Sequence, residues 1–278
     1  MAQLTTSEKR TAFHELHKAG CFLLPNPWDA GSTRILESLG YKALATTSSG
    51  YAWSQAQADG QLSRLDTLAH MRHLAAVSDL PINADFESGF AATPEGVFES
   101  VGLAIDTGIA GLSIEDSTGD PSNPLREKSE AIERLHAARA AIDANGGDTL
   151  LVGRAENYFV GRPGLDDVIE RLVAYSEAGA DCLYAPGIKT REEIRAVVQA
   201  VAPKPVNVLI GWATDLTVEE LSEMGVRRIS VGGALARAAW GRFISAARIM
   251  TEEGRFDGFL DAPTGADLNK FFSSVTSR

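Results

Sequence analysis

Short apolar runs alternate with longer segments of helical spacing along the whole chain. The runs have the length of buried strands and lie at 21–24, 43–47, 111–115, 149–152, 181–184, 206–209 and 228–231, with another inside 81–90. Between them apolar residues recur at helical spacing, and helix-start signals such as Thr93-Pro94-Glu95 separate the two kinds of segment. Strands that alternate with helices in this way predict parallel βαβ units.

The number of these units, eight, and the length of 278 residues predict a (β/α)8 TIM barrel, which we assign to residues 1–278 as a single domain. No strand is followed by the pattern GxGxxG, so a Rossmann domain is disfavoured. From about residue 255 the chain continues as a C-terminal helical tail, 255–278, that carries Phe256, Phe259 and Phe272. These aromatic side chains must pack on the chain's own barrel or on a neighbouring subunit, and the pattern leaves both arrangements open.

The charge and the cysteine content exclude several classes of function. A formal net charge of −11 argues against nucleic acid or a membrane surface as partner, although a small anionic substrate is compatible with a local metal or arginine. Cys21 and Cys182 have no CxxC spacing, which disfavours a zinc site and a disulfide framework. The N-terminus lacks the apolar stretch of a signal peptide and no apolar run is long enough to span a bilayer, so we expect a cytoplasmic protein.

Acidic residues follow three successive strands of the predicted barrel. Asp85 and Glu87 come after the third strand, Glu115 after the fourth, and Glu156 after the fifth, where Arg154 adds a cation. Residues two apart on an extended chain face the same way, so we expect Asp85 and Glu87 to point together. The carboxyl ends of barrel strands form the active site, and gathered carboxylate oxygens suit Mg²⁺. We therefore predict a Mg²⁺ site with Asp85, Glu87 and Glu115 as ligands, some of them acting through water.

Further candidate residues follow the second and seventh strands. The backbone amides of Gly50 and Tyr51 are expected to receive a developing oxyanion. Arg154 presents a fork that fits a substrate carboxylate. The predicted catalytic residues are Arg154, Glu115, Asp59 and Tyr51. The predicted substrate-binding residues are Ser49, Gly50, Tyr51, Arg154 and Asn207.

Several of these motifs together resemble the phosphoenolpyruvate mutase/isocitrate lyase superfamily. The resemblance begins at Pro25-Asn26-Pro27-Trp28-Asp29-Ala30 and spans nearly the whole chain; its best markers are Thr47-Ser48-Ser49-Gly50-Tyr51, Asn83-Ala84-Asp85, Ile114-Glu115-Asp116 and Gly153-Arg154. It implies an α/β barrel, an essential Mg²⁺, and a 2-oxo acid or its enolate held by the metal, the Ser-Gly backbone and the arginine. It also implies a homo-oligomer, a dimer of dimers in which the eighth helix is exchanged between subunits.

Two departures from the superfamily pattern narrow the expected chemistry. Asn83 stands where the superfamily's Asp-Ala-Asp motif has its first acid, and Glu87 is expected to compensate. The loop at 117–124 lacks the cysteine that supplies a proton in isocitrate and methylisocitrate lyases. It also lacks the lysine of the phosphonate-forming mutases and keeps only Asn123 as a candidate. We therefore expect neither activity in its familiar form.

The leading hypothesis is a Mg²⁺-dependent lyase or decarboxylase that acts on a small 2-oxo or 2-hydroxy dicarboxylate through an enolate. The loop at 117–127 is expected to close over the site and exclude water. One alternative is chemistry at a P–C bond, as a mutase or a phosphonopyruvate hydrolase. An alternative of another class is a barrel that binds 2-oxo acids without turning them over.

Overall fold

The structure, a computed structural model that describes residues 4–276, is built on parallel strands that alternate with helices. The strands are β1 (Phe22–Leu24), β2 (Leu44–Ala45), β3 (Ile82–Asp85), β4 (Gly111–Glu115), β5 (Leu150–Arg154), β6 (Cys182–Tyr184), β7 (Val206–Leu209) and β8 (Arg228–Ser230). The helices are α1 (Thr6–Lys18), α2 (Ala30–Ser38), α3 (Ser48–Ser54), α4 (Arg64–Val77), α5 (Pro94–Ile105), α6 (Lys128–Ala144), α7 (Leu165–Glu177), α8 (Arg191–Val201), α9 (Val218–Glu223), α10 (Ala234–Arg248) and α11 (Gly265–Thr276).

The strands form one sheet in the order β1-β8-β7-β6-β5-β4-β3-β2, and every pairing is parallel. The sheet curls until its two edge strands approach each other, where the Ala45 N–H donates to the Pro25 carbonyl at 3.0 Å. The result is a nearly closed barrel with helices between the strands. The predicted (β/α)8 TIM barrel with additional C-terminal helices is confirmed.

The apolar side chains form two cores that the strands separate. The outer core lies between strands and helices and includes Phe86, Leu112 and Val208. The inner core fills the barrel and includes Leu24, Val152 and other strand residues, together with Phe13 from α1. Because α1 contributes to this inner core, it closes the amino-terminal end of the barrel. The carboxyl-terminal end is left open for a site.

Two helices begin at side-chain caps that apolar spacing alone does not show. Residues 48–54 form the short helix α3, since the Thr47 side chain accepts from the Gly50 N–H and caps it. Helix α1 is capped by Thr5 in a capping box with Glu8.

The C-terminal segment divides into two parts with different surroundings. Helix α10 leaves large apolar side chains exposed, namely Leu235, Trp240, Phe243 and Ile244. A π-helical turn (Ile249–Glu253) and a 3₁₀ turn (Asp257–Phe259) follow it. Helix α11 then lies on α2 of the same chain, where Phe271 and Val275 share a cleft with Arg34. The end of the tail therefore packs on its own barrel, while the apolar face of α10 does not.

None of the helices within residues 4–276 has both the length and the apolar character that crossing a membrane requires. A location in the cytoplasm stays a prediction.

Candidate active site

A cavity of about 910 Å³ opens at the carboxyl-terminal mouth of the barrel. Most of the residues that the sequence singled out line it, although they come from four strands, from helix α3 and from the segments that follow α3, β3 and β5. They are Ser49, Asp59, Asp85, Glu87, Glu115, Arg154, Glu156 and Asn207. The barrel therefore brings together side chains that are up to 158 residues apart along the chain, Asn207 − Ser49.

Arg154, the last residue of β5, lies at the centre of the carboxylates. Its Nη1 contacts Asp85 Oδ1 at 3.0 Å and Glu115 Oε2 at 3.1 Å, and its Nε donates to Glu156 Oε1. Its guanidinium also lies over the ring of Tyr184, 5.2 Å from the centroid. Burial acts to lower the pKa of Arg154, but Glu115, Glu156 and Asp85 outweigh it and raise that pKa well above its usual value. Arg154 is therefore a permanent cation whose fork is already engaged by acids of the chain.

Asp85 is held from two sides. Its Oδ2 accepts from the backbone N–H and the hydroxyl of Ser48, at 3.0 and 2.9 Å, and its Oδ1 accepts from Arg154. The Ser48 hydroxyl is also 3.3 Å from Asp59 Oδ1. Ser48 thus connects Asp59, in the loop after α3, to Asp85 at the end of β3. We did not assign it a role from the sequence, although it lies inside the Thr47–Tyr51 marker.

Glu87 reaches the cavity by a turn and not by strand alternation. Strand β3 ends at Asp85, and Glu87 has a φ of 46°, a left-handed conformation that is unusual for a residue with a side chain. Its carbonyl accepts from the Glu115 N–H at 3.0 Å, which joins the turn to the end of β4. The expectation that Asp85 and Glu87 share a face because they are two apart on an extended chain is therefore wrong, although both line the cavity.

The Glu87 side chain is buried without a full set of partners. Its Oε1 has no hydrogen-bond partner among the described residues. Burial, followed by the carboxylates of Asp85, Glu115 and Asp59, raises its pKa to about 8, although Arg154 acts to lower it. Burial also raises the pKa of Glu115. Burial is the largest cause of both pKa shifts, and neighbouring carboxylates add to it. The cavity wall also holds an excess of carboxyl groups over arginines.

This excess allows a test of whether the site fits a divalent cation. Six carboxyl groups line the cavity, and three of them, Asp85, Glu115 and Glu156, contact Arg154. The Oε1 atom of Glu87 accepts no hydrogen bond from the described residues. Within residues 4–276 no three acidic, histidine or cysteine side chains converge on one metal position. Mg²⁺ is usually held by one or two carboxylates and several waters, so the donor set fits a magnesium ion with mostly indirect ligands. Asp85, Glu87 and Glu115 stay the predicted ligands.

A buried network behind the cavity fixes Glu156. The Glu156 N–H donates to Asp116 Oδ1 at 2.8 Å, and Asp116 Oδ2 accepts from the Tyr175 hydroxyl at 2.5 Å and from Arg171 at 3.2 Å. Glu156 itself is 4% exposed, and burial raises its pKa to about 8 although Arg154 acts to lower it. Asp116, the member of the Glu115-Asp116 pair that does not line the cavity, therefore orients the backbone directly after β5.

Two predicted site residues do not face the cavity. The Tyr51 ring stacks on His70 with centroids 3.7 Å apart, and the Tyr51 N–H donates to the Thr47 carbonyl at 3.1 Å. The Gly50 N–H donates to Thr47 Oγ1 at 3.2 Å. Because α3 uses both amides for its own capping and first turn, the geometry gives no support to an oxyanion site there. A side chain at position 50 would meet Thr47 Cγ2 at 2.7 Å, so close packing explains the glycine.

The loop at 117–127 folds over one side of the cavity. Its ends are joined by an antiparallel bridge between Ser117 and Leu125, and the Ser117 hydroxyl donates to Glu115 Oε1 at 2.5 Å. Asp120 lines the cavity. Asn123 is not among the cavity-lining residues, and its carbonyl accepts from the Thr118 hydroxyl at 2.5 Å. The loop thus presents hydroxyls and an acid, and none of the thiol or amine groups considered above.

Residues 13–251 match the family model described as phosphoenolpyruvate phosphomutase. The chain is 30% identical to 2-methylisocitrate lyase of Escherichia coli (89% of this chain, 85% of the relative). It is also 30% identical to oxaloacetate decarboxylase of Rhodopseudomonas palustris (91% and 88%). A Burkholderia cenocepacia structure, described in general terms as that of a lyase/mutase, superposes with a TM-score of 0.94 at 46% identity and covers 96% of this chain and 97% of that chain.

Proposed function

Because the chain belongs to the phosphoenolpyruvate mutase/isocitrate lyase superfamily of lyases and mutases, we propose that it is a Mg²⁺-dependent lyase or decarboxylase. Its substrate would be a small 2-oxo or 2-hydroxy dicarboxylate that reacts through an enolate. The observation that supports this most is the arrangement of Arg154 among Asp85, Glu115 and Glu156 at the barrel mouth, beside the orphaned oxygen of Glu87.

The described residues suggest a division of roles. Arg154 would bind a substrate carboxylate by exchanging one of its internal partners for the ligand, since its Nη1 is shared between Asp85 and Glu115. Ser48 would keep Asp85 oriented, because it donates to Oδ2 from both its backbone and its hydroxyl. Bound Mg²⁺, held by Asp85, Glu87 and Glu115 directly or through water, would supply Lewis-acid stabilisation of negative charge on the substrate oxygens.

The loop at 117–127 favours decarboxylation over isocitrate-type cleavage. Cleavage of an isocitrate needs a proton for the carbanion carbon of the departing acid. The loop side chains at the cavity offer hydroxyls and Asp120, whose pKa is lowered by hydrogen bonds from Ser122. An ionised acid and neutral hydroxyls are poor proton donors at neutral pH. Loss of CO₂ leaves an enolate that water can protonate, and therefore suits this cavity better.

Chemistry at a P–C bond is the second candidate, favoured by the match to the phosphoenolpyruvate phosphomutase model. A substrate panel distinguishes the candidates: oxaloacetate, 2-alkylmalates, 2-methylisocitrate and phosphonopyruvate, each with Mg²⁺ and with a chelator. We expect Mg²⁺-dependent turnover of oxaloacetate or an alkylmalate. Turnover of phosphonopyruvate alone would support the second candidate. Efficient release of pyruvate from 2-methylisocitrate would show that the argument from the loop is wrong, and no turnover of any compound would leave a binding function.

We also propose that the chain forms a homo-oligomer, as a dimer of dimers, through α10. Trp240 and Phe243 of that helix are 36% and 62% exposed, and their rings pack edge to face on each other with centroids 5.6 Å apart. Large exposed apolar patches usually mark interfaces. A second copy of the chain is the proposed occupant, because the superfamily membership and the position of α10 directly after β8 fit an exchanged eighth helix.

A further inference from the structure

An arginine whose partners are all neutral lies inside the barrel. Arg228 begins β8 and is 2% exposed. Its Nε donates to Asn207 Oδ1 at 2.9 Å and its Nη1 to Asn83 Oδ1 at 3.3 Å, while His17 Nε2 lies 3.4 Å from Nη1. Among the described residues no carboxylate contributes to its electrostatic environment, in contrast to Arg154. Arg228 is therefore a buried cation without a carboxylate counter-ion among residues 4–276.

Such an arrangement is unfavourable unless an anion completes it. Burial lowers the pKa of Arg228, which reflects the cost of keeping the charge away from water. Burial and the charge of Arg228 lower the pKa of His17 to about 3, so His17 is neutral and offers no counter-charge. Buried charges in proteins are normally paired. Among residues 4–276 no acid contacts Arg228, so an anion bound in the cavity would supply the pairing.

Arg228 borders the cavity and forms part of its wall, together with Asn83 and Asn207. One row of paired residues connects it to Arg154: Arg154 pairs with Tyr184, Tyr184 with Asn207, and Asn207 with Arg228. Strands of a barrel tilt against its axis, so this row descends from the mouth, where Arg154 ends β5, to the interior, where Arg228 begins β8. The two guanidinium groups thus lie at different depths of one cavity.

We propose that Arg228 binds the distal carboxylate of the substrate and makes the enzyme selective for dicarboxylates over monocarboxylates. Asn207 and Asn83 would hold its guanidinium in place, and the Asn207 amide is itself fixed by a bond to Ser230 Oγ at 2.9 Å. A carboxylate that reaches Arg228 displaces no acid, whereas one that reaches Arg154 must compete with three. This inference rests on the proposed function, because it assumes a dicarboxylate in the cavity.

The test compares two ligands that differ only in the distal carboxylate, L-malate and L-lactate. Their affinities are measured by isothermal titration calorimetry in saturating Mg²⁺ for the wild type and for Arg228→Gln. We expect the variant to bind malate ~10-fold or more weakly, because it loses a charge-assisted contact, and to bind lactate as the wild type does. Arg227→Gln is the matched control. Arg227 is the preceding residue and donates to the Gly20 carbonyl outside the cavity, so its loss should change neither affinity.

A second variant, Asn83→Asp, gives Arg228 an internal counter-ion at a position already in contact with Nη1. It should weaken malate binding selectively while Arg228 stays in place. Equal losses for malate and lactate in both variants, or unchanged malate affinity in either, would show that Arg228 has only a structural role. Melting temperatures are measured in parallel, and Asn83→Asp decides the matter if Arg228→Gln does not fold.

The same variants separate this inference from the proposed function. If the wild type turns over a dicarboxylate and Arg228→Gln keeps its KM, the subsite is wrong although the function stands. If the wild type turns over none of the panel but its malate binding depends on Arg228, the function is wrong although the subsite stands.

Discussion

Replacement of Arg154 by lysine is the sharpest test of the proposed site, because it keeps the charge and removes the fork. In the structure the guanidinium contacts acids through two of its nitrogen atoms: Nε contacts Glu156, and Nη1 contacts Asp85 and Glu115. A lysine ammonium is a single point at the end of a flexible chain and does not reproduce this geometry. Arg154→Lys should therefore lose at least one charge-assisted hydrogen bond.

The expected size follows from those contacts. A hydrogen bond to a charged group contributes about 1.5–3 kcal/mol, so one lost bond corresponds to a decrease of ~10- to 150-fold in kcat/KM. If the lysine ammonium pairs with Asp85 and Glu115, Glu156 loses the neighbouring cation that lowers its pKa, and it becomes more readily protonated. If the ammonium pairs with Glu156, Asp85 loses the hydrogen-bond donor to its Oδ1 atom. Either outcome disturbs the pocket.

The assay is steady-state kinetics with the best substrate of the panel at saturating Mg²⁺. Arg139→Lys is the matched control, because Arg139 also contacts two acids through Nε and Nη1, Asp143 and Asp181, but lies outside the cavity. We expect the control to keep both kinetic constants. If Arg154→Lys keeps them as well, Arg154 is a structural ion-pair residue and the site has been misplaced.

Three further predictions concern the metal, the pH dependence of stability, and the assembly. Asp85→Asn should abolish Mg²⁺-dependent turnover while the circular dichroism spectrum stays unchanged, and near-wild-type activity with an unchanged Mg²⁺ titration would refute the metal assignment. The pKa of Glu87 is raised from 4.5 to about 8, so the folded state binds the proton more tightly and, without Mg²⁺, should lose stability as pH rises through this range. Glu87→Gln should flatten the slope of melting temperature against pH, and identical slopes would contradict this. Phe243→Asp should dissociate the oligomer in light scattering, whereas Leu65→Asp, at a residue that is also exposed, should not.

The barrel was predictable from the sequence because its signal is local. Each buried strand is a short apolar run, and the helices carry their own apolar spacing and, in most cases, a side-chain cap. Eight such repeats therefore identify the fold without any knowledge of long-range contacts. Chain topology then determines where strand ends meet. For that reason Asp85, Glu115 and Arg154 were correctly expected at one mouth, since each ends a strand of the same parallel sheet.

Only the tertiary structure decided where the side chains beyond the strand ends point, and which side chains inside the barrel border the cavity. Glu87 lines the cavity because its backbone adopts a left-handed turn. Tyr51 does not line it, because its ring stacks on His70 of helix α4. The sequence places Arg228 at the start of a strand, and only barrel closure brings it into contact with Asn207 and Asn83 and not with an acid. Spacing and propensity act over a few residues, whereas burial and charge pairing depend on neighbours that are distant along the chain. The sequence therefore determined the barrel fold and the acids at the strand ends, and the tertiary structure of the barrel determined which charges are paired.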